Sequence, residues 1–328
     1  MNRLKKLATL TLALTLSLSL VSCGEKPAAT DGYRVGIIQL MDHAALNSAR
    51  EGFIAALADN GLKDGDGITL DFKDGNGDTS NMATIADQFV ADKKDLVLAI
   101  ATPAAQAIAA KTTEIPILAT AITSFEGAGL VESDEVPGTN VSGVSDLNPV
   151  KEQLELLLRL APDAKTVGFL YNSAEDNSRL QIEIAKGVLD EMGIGYTERT
   201  VSNQNEVQQA TASIIPECQA IYLPTDNVFA STMPAVNELT VQAGIPVVAG
   251  ERGPVEGGAL ATYGITYYKI GYQTGLMAVE ILTKDADISK MPVSVSTEYD
   301  YCVNGTVAEA LGLEVPEDLK EFVIIPEG

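Results

Sequence analysis

Short runs of apolar residues recur along the chain and alternate with segments in which apolar residues fall three or four positions apart. The continuous runs are typical of strands buried on both faces of a parallel sheet, and the periodic segments are typical of helices that cover it. The predicted strands are 34–40, 68–72, 96–101 and 115–122 in the first half, then 166–171, 220–223 and 245–249. Strands that alternate with helices in this order predict an α/β fold with parallel sheets.

The end of the predicted strand 96–101 carries strong signals for the start of a helix. We expect Thr102 to cap this helix and Pro103 to be its first residue, followed by Ala104. The free backbone N–H groups and the positive end of the helix dipole would then meet the Thr102 hydroxyl just beyond a buried strand. Such a junction predicts a binding site for a carboxylate or a phosphate.

A similar junction follows the predicted strand 220–223 in the second half of the chain. Here Thr225 takes the place of Thr102, and Asp226 and Asn227 follow it. One junction therefore offers an anion site and the other offers a carboxylate. We expect two similar lobes that face each other and enclose a small molecule.

The repeated pattern predicts two Rossmann-like lobes, each with a parallel sheet, joined by a hinge of three connecting strands. The first lobe is expected to comprise residues 33–143 and 264–297, and the second lobe residues 144–263 and 298–328. Several connections between two lobes form a hinge, so closure of the lobes around a ligand is the expected motion.

The first 32 residues have the features of an export signal followed by a tether. Residues 1–22 begin with basic side chains and continue as an apolar stretch that is too short to span a membrane. The sequence LVSCG around Cys23 resembles the lipobox of bacterial lipoproteins; an ordinary signal peptide is the alternative. We therefore expect residues 23–32 to form a flexible tether and the protein to be extracytoplasmic, anchored to the cell membrane by a lipid on Cys23.

Charge and motif content argue against several classes of function. The formal net charge is −23 without a basic cluster, so nucleic acid is not an expected partner. No P-loop, G-x-S-x-G or paired-histidine motif is present, and the single histidine, His43, is predicted to be a first-turn or rim residue. The sequence therefore predicts neither an enzyme nor a cofactor. Cys218 and Cys302 lack a disulfide-like spacing, and we favour two buried free thiols over a bond between them.

The segment 73–80 (KDGNGDTS) partly matches a calcium-binding loop. Three ligand positions carry Asp or Asn, but the sixth position is Thr79 instead of glycine and the twelfth is Ile85 instead of glutamate. We therefore predict no metal site. The segment is expected to be a turn in which Thr79 or Ser80 caps a helix over 81–91.

Further candidate ligand contacts lie in the loops after the predicted strands, because the carboxyl ends of parallel strands border the binding crevice of such folds. The candidates are Gln39, Leu40 and Met41 after the first strand, Phe125 in an aperiodic loop, and Tyr171, Asn172, Ser173, Asn177 and Tyr263 in the second half. Tyr267, Tyr268 and Tyr272 lie on a long predicted helix, and we expect them to pack rather than to contact a ligand.

Several motifs together resemble the type I periplasmic-binding-protein fold, and in particular the lipoprotein family of tryptophan/tyrosine ABC-transporter substrate-binding proteins. The matching stretches are VGIIQLMDHAALNSAREGF, FVADKKDLVLAIATPAAQ, GVSDLNPV, YNSAEDNS, IYLPTDN, EGGALATYGITYYKIGYQTG and EALGLEVP. They span the chain from Tyr33 onwards. The resemblance implies a monomeric binding protein that delivers a small ligand to an ABC permease with cytoplasmic ATPases, and it implies an aromatic amino acid as that ligand.

An amino acid ligand agrees with the two helix junctions. A zwitterion needs an anion site and a carboxylate close together, and Thr102 and Asp226 would supply these from opposite lobes. Another amino acid, a nucleoside or a sugar is an alternative ligand, and a ligand sensor for a membrane receptor is an alternative role. The chain contains no tryptophan, which weakens the case for a sugar because sugar sites often stack a tryptophan.

Overall fold

The computed structural model describes residues 32–326. The predicted signal peptide, Cys23 and all but the last residue of the predicted tether lie outside the described residues. From Tyr33 onwards the described chain forms one compact unit with two seven-stranded sheets. No helix within residues 32–326 is long and apolar enough to cross a bilayer.

Strands and helices alternate through most of the unit. The strands are β1 (Tyr33–Gln39), β2 (Lys63–Asp64), β3 (Gly67–Asp74), β4 (Leu96–Ile100), β5 (Ile117–Ile122), β6 (Val141–Ser145), β7 (Thr166–Asn172), β8 (Gly195–Val201), β9 (Ala220–Leu223), β10 (Val247–Ala249), β11 (Ala261–Gly264), β12 (Ser294–Val295), β13 (Asp300–Asn304) and β14 (Val323–Ile324). The helices are α1 (Ala44–Asp59), α2 (Thr79–Ala91), α3 (Thr102–Ala109), α4 (Val150–Leu160), α5 (Asp176–Met192), α6 (Val207–Ile214), α7 (Asn227–Ser231), α8 (Met233–Gln242), α9 (Arg252–Glu256), α10 (Tyr267–Lys284) and α11 (Gly305–Ala310). Short 3-10 helices lie at Gln204–Glu206, Ile215–Glu217, Ile288–Lys290 and Glu317–Phe322.

Each sheet forms the centre of one lobe. The first has the strand order β12-β6-β5-β4-β1-β3-β2 and is parallel throughout. The second has the order β14-β13-β11-β10-β9-β7-β8, in which β13 runs antiparallel to β11. The chain passes between the sheets three times, after β6, β11 and β12. The predicted α/β fold, with two lobes joined by three connections, is therefore confirmed.

Continuous apolar runs occupy the middle of the sheets, as the sequence pattern predicted. Every residue of β4 and of β5 is buried, because helices cover both faces of the first sheet. Cys218 and Cys302 are buried free thiols in the second half of the chain.

The contact between α1 and α10 fixes two side chains that border the space between the lobes. Gly271 lies so close to α1 that a Cβ atom there would be 1.9 Å from the Ala49 carbonyl oxygen, and a Cβ on Gly52 would be 2.1 Å from the Tyr268 carbonyl oxygen. Only glycine permits this approach of two helix backbones. His43, which precedes α1, and Tyr267, the first residue of α10, are consequently held close together.

The junction between β4 and α3 differs in detail from its prediction. The helix begins at Thr102, and the capping position is Ala101, which has a φ of 83° and makes no side-chain capping bond. The predicted capping role of Thr102 is therefore wrong. A positive φ is costly for a residue with a Cβ atom, and such backbone strain concentrates at functional sites.

The segment 73–80 is a turn, as predicted, but a different residue caps the following helix. The carboxylate of Asp78 accepts hydrogen bonds from the N–H groups of Ser80 (2.7 Å) and Asn81 (2.9 Å), so the predicted caps Thr79 and Ser80 are wrong. Within residues 32–326, no three His, Cys, Asp or Glu side chains converge on a point that could hold a metal ion.

Candidate ligand site between the lobes

The carboxyl ends of the strands in the two sheets face each other across a cleft. Parallel strands place the loops that follow them at one edge of the sheet, so the loops after β1, β4, β5, β7, β9 and β10 border this cleft. Among the cavities that residues 32–326 form between the lobes, three are of particular interest, and each is lined by residues of both lobes. We name them the inner, outer and side cavities.

The inner cavity is the most enclosed of the three, and its lining is mostly polar. Its lining residues are His43, Leu46, Ala121, Asp146, Asn177, Thr225, Asn227, Glu251 and Tyr267. Its free volume is about 10 Å³, which is room for about one water molecule.

Two buried carboxyls, Asp146 and Glu251, face the inner cavity. Asp146 follows β6 and accepts hydrogen bonds from the hydroxyls of Tyr267 (2.6 Å) and Thr123 (3.0 Å). Glu251 follows β10, is 2% exposed, and has no hydrogen-bond partner for its Oε2 within the described residues. Burial raises the pKa of Asp146. Burial, with the negative charges of Asp146 and Glu256 nearby, raises the pKa of Glu251 to about 8.

No cationic side chain in the described part of the chain compensates this pair. Neither carboxyl forms an ion pair with Lys or Arg, and burial lowers the pKa of the nearby His43, whose ring is therefore neutral at pH 7. A buried charge without a partner costs roughly 3–5 kcal/mol. A cationic group of a ligand would relieve this cost, so the inner cavity is suited to an ammonium group.

Three further buried polar atoms at the cleft lack a hydrogen-bond partner within residues 32–326. They are Nδ1 of His43, Oδ1 of Asn177 and Oγ1 of Thr102. The other ring nitrogen of His43 lies 3.1 Å from Oδ1 of Asn227 in the opposite lobe. Buried polar groups are almost always paired in folded proteins, so this concentration of unpaired atoms indicates a site for a polar ligand.

A second pair of buried carboxyls, Glu175 and Asp226, lies in the second lobe. Oδ2 of Asp226 accepts hydrogen bonds from the Asn172 N–H (2.5 Å) and the Ser178 hydroxyl (2.7 Å), and Oδ1 accepts one from the Phe229 N–H (3.0 Å). Burial raises the pKa of both carboxyls, and the charge of Asp226 raises that of Glu175 further. Because Asp226 has the better donors, it carries the negative charge while Glu175 holds the proton.

The outer cavity is larger, with a volume of about 350 Å³. Its lining residues are Leu40, Met41, Asn76, Gly77, Thr79, Met82 and Pro103 from the first lobe and Asn172, Ala174, Glu175, Ser202, Asn203, Gln204, Asn205 and Val228 from the second. An apolar wall thus faces a polar one, with Glu175 as the only ionisable residue in this lining. This combination is typical of sites for small organic molecules.

The side cavity has a volume of about 410 Å³ and lies next to direct contacts between the lobes. It is lined by Thr102, Ser124, Gly127, Ala128, Asp176, Asn177, Arg179, Leu180 and Glu183. Nε2 of Gln106 donates a hydrogen bond to Asp176 across the cleft (2.9 Å), and the hydroxyls of Thr123 and Thr225 lie 3.5 Å apart. The two lobes are therefore closed on each other.

The structure brings more than half of the sequence-predicted site residues to the cleft. Leu40, Met41, Pro103 and Asn172 line the outer cavity, Thr102 lines the side cavity, Thr225 and Asn227 line the inner cavity, and Asn177 lines both the inner and the side cavity.

The other predicted contacts line none of the three cavities. Gln39 uses its amide on Met41, Asn47 and Arg50, Ala104 and Phe125 are buried in the core of the first lobe, and Ser173 is exposed. The Tyr171 hydroxyl donates to Glu198, and the Tyr263 ring packs on Tyr299 and Tyr301. Asp226 accepts three hydrogen bonds from donors of its own lobe.

Sequence reasoning missed the carboxyls that do face the cavities. Glu251 follows β10 in the same way that Asp226 follows β9, so the rule of strand carboxyl ends could have found it. Asp146 lies in the run VSGVSDL, which the sequence indicated only as a connection between lobes. Tyr267 was expected to pack, but its hydroxyl donates to Asp146 in the inner cavity.

Comparison with known proteins assigns the chain to a family. The family described as "ABC transporter substrate binding protein" matches residues 34–322. The chain belongs to this family. A tyrosine-binding protein from Clostridioides difficile (strain R20291) is 38% identical to it, over 96% of this chain and 94% of that protein. The protein is therefore a substrate-binding protein of the ABC-transporter class, which is a class of extracytoplasmic solute-binding proteins.

Solved structures agree with this assignment. An ABC domain from Streptococcus pneumoniae in complex with L-Trp is 36% identical, with a TM-score of 0.86 over 90% of this chain and 100% of that one. The fold is that of type I periplasmic binding proteins, since a leucine-binding protein from Thermotoga maritima also superposes, with a TM-score of 0.59 at 16% identity over 76% of this chain and 83% of that one.

A third comparison concerns the arrangement of the lobes. The ligand-free, open structure of a substrate-binding protein with adhesive properties from Clostridium difficile is 44% identical, over 90% of this chain and 100% of that one, but has a TM-score of only 0.70. This substrate-binding protein therefore superposes better on the tryptophan complex, although its sequence is more similar to that of the open structure. The direct contacts between its lobes agree with this better superposition on a ligand-bound structure.

Proposed function

We propose that this substrate-binding protein closes around an aromatic amino acid, tyrosine or tryptophan, and delivers it to an ABC permease driven by cytoplasmic ATPases. The observation that carries the proposal is the uncompensated carboxyl pair Asp146 and Glu251 in a closed cleft. The tyrosine-binding relative and the tryptophan-bound structure favour an aromatic ligand over other amino acids.

In the proposed complex, the ligand ammonium group binds to Glu251 and Asp146. Glu251 has an unpaired, buried oxygen, and Asp146 is oriented by the hydroxyls of Tyr267 and Thr123. A charge-assisted hydrogen bond contributes roughly 1.5–3 kcal/mol. This pair replaces Asp226, which the sequence favoured for the same role.

The ligand carboxylate binds in this proposal to the start of α3. The Thr102 hydroxyl is buried and unpaired there, and the first N–H groups of the helix offer further donors. The ammonium site lies on residues after β6 and β10, while Thr102 follows β4, so the zwitterion would be held between the lobes. Binding would then favour the closed state, because the ligand contacts both lobes only when they are together.

The aromatic ring occupies the outer cavity in the proposed complex. Leu40, Met41, Met82 and Pro103 supply an apolar wall, and the volume of about 350 Å³ suits a ring side chain. The inner cavity alone is too small for the ligand, so entry requires that the lobes open about the hinge. We propose residues 33–143 with 264–297, and 144–263 with 298–328, as the two moving bodies.

The anchor is proposed from the N-terminal sequence alone. The lipobox-like LVSCG supports a lipid on Cys23, which would hold the protein at the membrane that contains the permease. Replacement of Cys23 by alanine should release the protein from the membrane without a change in ligand affinity. Continued membrane attachment of that variant would refute the lipid anchor.

A thermal-shift screen of the fragment from Tyr33 onwards tests the ligand class. We expect tyrosine and tryptophan to raise the melting temperature, and other amino acids, nucleosides and sugars to have little effect. Stabilisation by a sugar or a nucleoside alone would overturn the proposed ligand. The Glu251→Gln variant should lose most of the stabilisation by amino acids, because its side chain lacks the negative charge that the ammonium group needs.

A further inference from the structure

A polar contact between the lobes lies beside the proposed ligand site. Nε2 of Gln106, on α3 of the first lobe, donates a hydrogen bond to Oδ2 of Asp176, the first residue of α5 in the second lobe (2.9 Å). Asp176 borders the side cavity, whereas Gln106 lines none of the three cavities. By contrast, the contact between His43 and Asn227 joins two residues of the inner cavity. A change at Gln106 can therefore alter the contact between the lobes without removing a group that lines the site.

Gln106 lies one helical turn after Thr102 on α3. Residues four positions apart share one face of a helix, so Gln106 follows Thr102 along the face that borders the cleft. In the proposed function, the N-terminus of α3 binds the ligand carboxylate. The next turn of the same helix contacts the second lobe, so α3 links the ligand to the closure of the lobes.

Both side chains of this contact are also held within their own lobes. Nε2 of Gln106 donates a second hydrogen bond to the carbonyl oxygen of Ala128 (3.2 Å), so one amide hydrogen is bound in the first lobe and the other is directed at Asp176. Oδ1 of Asp176 accepts a hydrogen bond from Arg179 of the same helix, which leaves Oδ2 for Gln106. Groups that are oriented before they meet lose less conformational entropy when they bind.

We propose that Gln106 and Asp176 form a latch, a hydrogen bond that is made when the lobes close and that slows their reopening. The latch retains the ligand without touching it. This inference rests on the proposed function, since it assumes a ligand that is enclosed between the lobes. A bond present only in the closed state stabilises that state, so its loss should cause faster release of the ligand and leave capture unchanged.

Stopped-flow kinetics of the unaltered protein and of Gln106→Leu test the latch. Because the chain contains no tryptophan, the fluorescence of added L-tryptophan reports its own binding, and excess L-tyrosine displaces it. Leucine has nearly the size of glutamine but no donor. The dissociation rate should therefore rise about 3- to 10-fold, while the association rate changes by less than about twofold. An unchanged dissociation rate, or a loss of affinity that arises from slower association, would overturn the latch.

An exchange of donor and acceptor tests whether the two side chains act on each other directly. Gln106→Glu sets two carboxylates against each other, so release of L-tryptophan should be at least about tenfold faster. Addition of Asp176→Asn restores the pair in the opposite direction, because the asparagine amide can donate to the glutamate. The double variant should therefore release L-tryptophan within about threefold of the unaltered rate. Release as fast as in Gln106→Glu alone would contradict the latch.

Gln88→Leu is the matched control. It is the same substitution in the same lobe, at an exposed position of α2 that lines none of the three cavities, and it should leave both rates unchanged. Without ligand, Gln106→Leu and Gln88→Leu should melt at nearly the same temperature, and a clearly lower value for Gln106→Leu would count against the latch. If neither amino acid binds the unaltered protein, the proposed function fails and the latch with it. If both bind and Gln106→Leu releases them at the unaltered rate, only the latch fails.

Discussion

At the scale of residues, the buried carboxyls at the cleft differ in the hydrogen-bond donors that surround them, and we propose different roles for them on this ground. Asp226 accepts three hydrogen bonds from its own lobe and holds the loops of the second lobe together. Glu251 has an unpaired oxygen in the inner cavity and no cation beside it in the described chain. Burial and strand position are the same for both, so only the donors around each carboxyl distinguish a structural role from a ligand role.

The variants Asp226→Asn and Glu251→Gln should therefore affect different properties: the first mainly lowers stability, and the second mainly lowers ligand affinity. Asp226→Asn turns one accepting oxygen into a donor that faces another donor, so the free energy of unfolding should fall by about 1–3 kcal/mol. Its ligand affinity should change less than that of Glu251→Gln, which should fall at least about tenfold. Denaturant unfolding and calorimetry on both variants check this. A larger loss of ligand affinity in Asp226→Asn than in Glu251→Gln would show that Asp226, and not Glu251, binds the ammonium group.

The pH dependence of stability should report the raised pKa of Glu251. Its pKa is about 8 in the folded protein, whereas the ordinary pKa of a glutamate, expected in the unfolded chain, is 4.5. The folded state thus binds more protons than the unfolded state between these values, so stability falls as the pH rises from 4.5 to 8. The Glu251→Gln variant has no carboxyl at this position, so it does not lose stability in this way as the pH rises. Without ligand, the variant should gain stability relative to the unaltered protein across that window, by at most about 1.4 kcal/mol per pH unit. A constant difference would contradict the raised pKa.

At the scale of elements, strands and helices were largely predictable from the sequence, but their terminal residues were not. The apolar runs identified β4 and β5 because both faces of those strands are buried. The start of α3 was misjudged by one residue, since Ala101 adopts a positive φ that no local propensity indicates. Likewise, Tyr171 and Tyr263 are oriented by packing against distant strands, and the chain pattern alone does not contain that information.

The α1–α10 contact can be tested with one pair of glycine variants. Gly271→Ala would place a Cβ atom 1.9 Å from a backbone oxygen of α1, so the two helices must separate and stability should fall by about 1–3 kcal/mol. Gly187 lies on the exposed part of α5, and a Cβ atom added there would have no other atom within 4 Å. Gly187→Ala should therefore be neutral or stabilising by up to about 1 kcal/mol. Equal thermal stabilities of the two variants would show that the helices are not held in close contact.

Helix separation in Gly271→Ala should also reduce ligand affinity, because α1 and α10 position His43 and Tyr267 at the inner cavity. The Gly187→Ala variant should bind like the unaltered protein. Full affinity in Gly271→Ala, together with the expected loss of stability, would show that the site does not depend on this contact.

At the scale of the whole molecule, two similar lobes form a site that neither could form alone. The sequence predicted this arrangement correctly, because both halves repeat the same order of strand and helix and the chain crosses between them three times. It could not indicate which loops meet across the cleft, since residues such as His43 and Asn227 are 184 positions apart. The pairing of an acidic inner cavity with a partly apolar outer cavity follows only from the closed lobes.

A crystal structure of the fragment from Tyr33 onwards with L-tyrosine would test the proposed ligand site most directly. We expect the ligand between closed lobes, with its ammonium nitrogen about 3 Å from a carboxylate oxygen of Glu251 or Asp146 and its carboxylate at the start of α3. A ligand whose ammonium group binds Asp226, or one bound outside the cleft, would contradict the proposed ligand site.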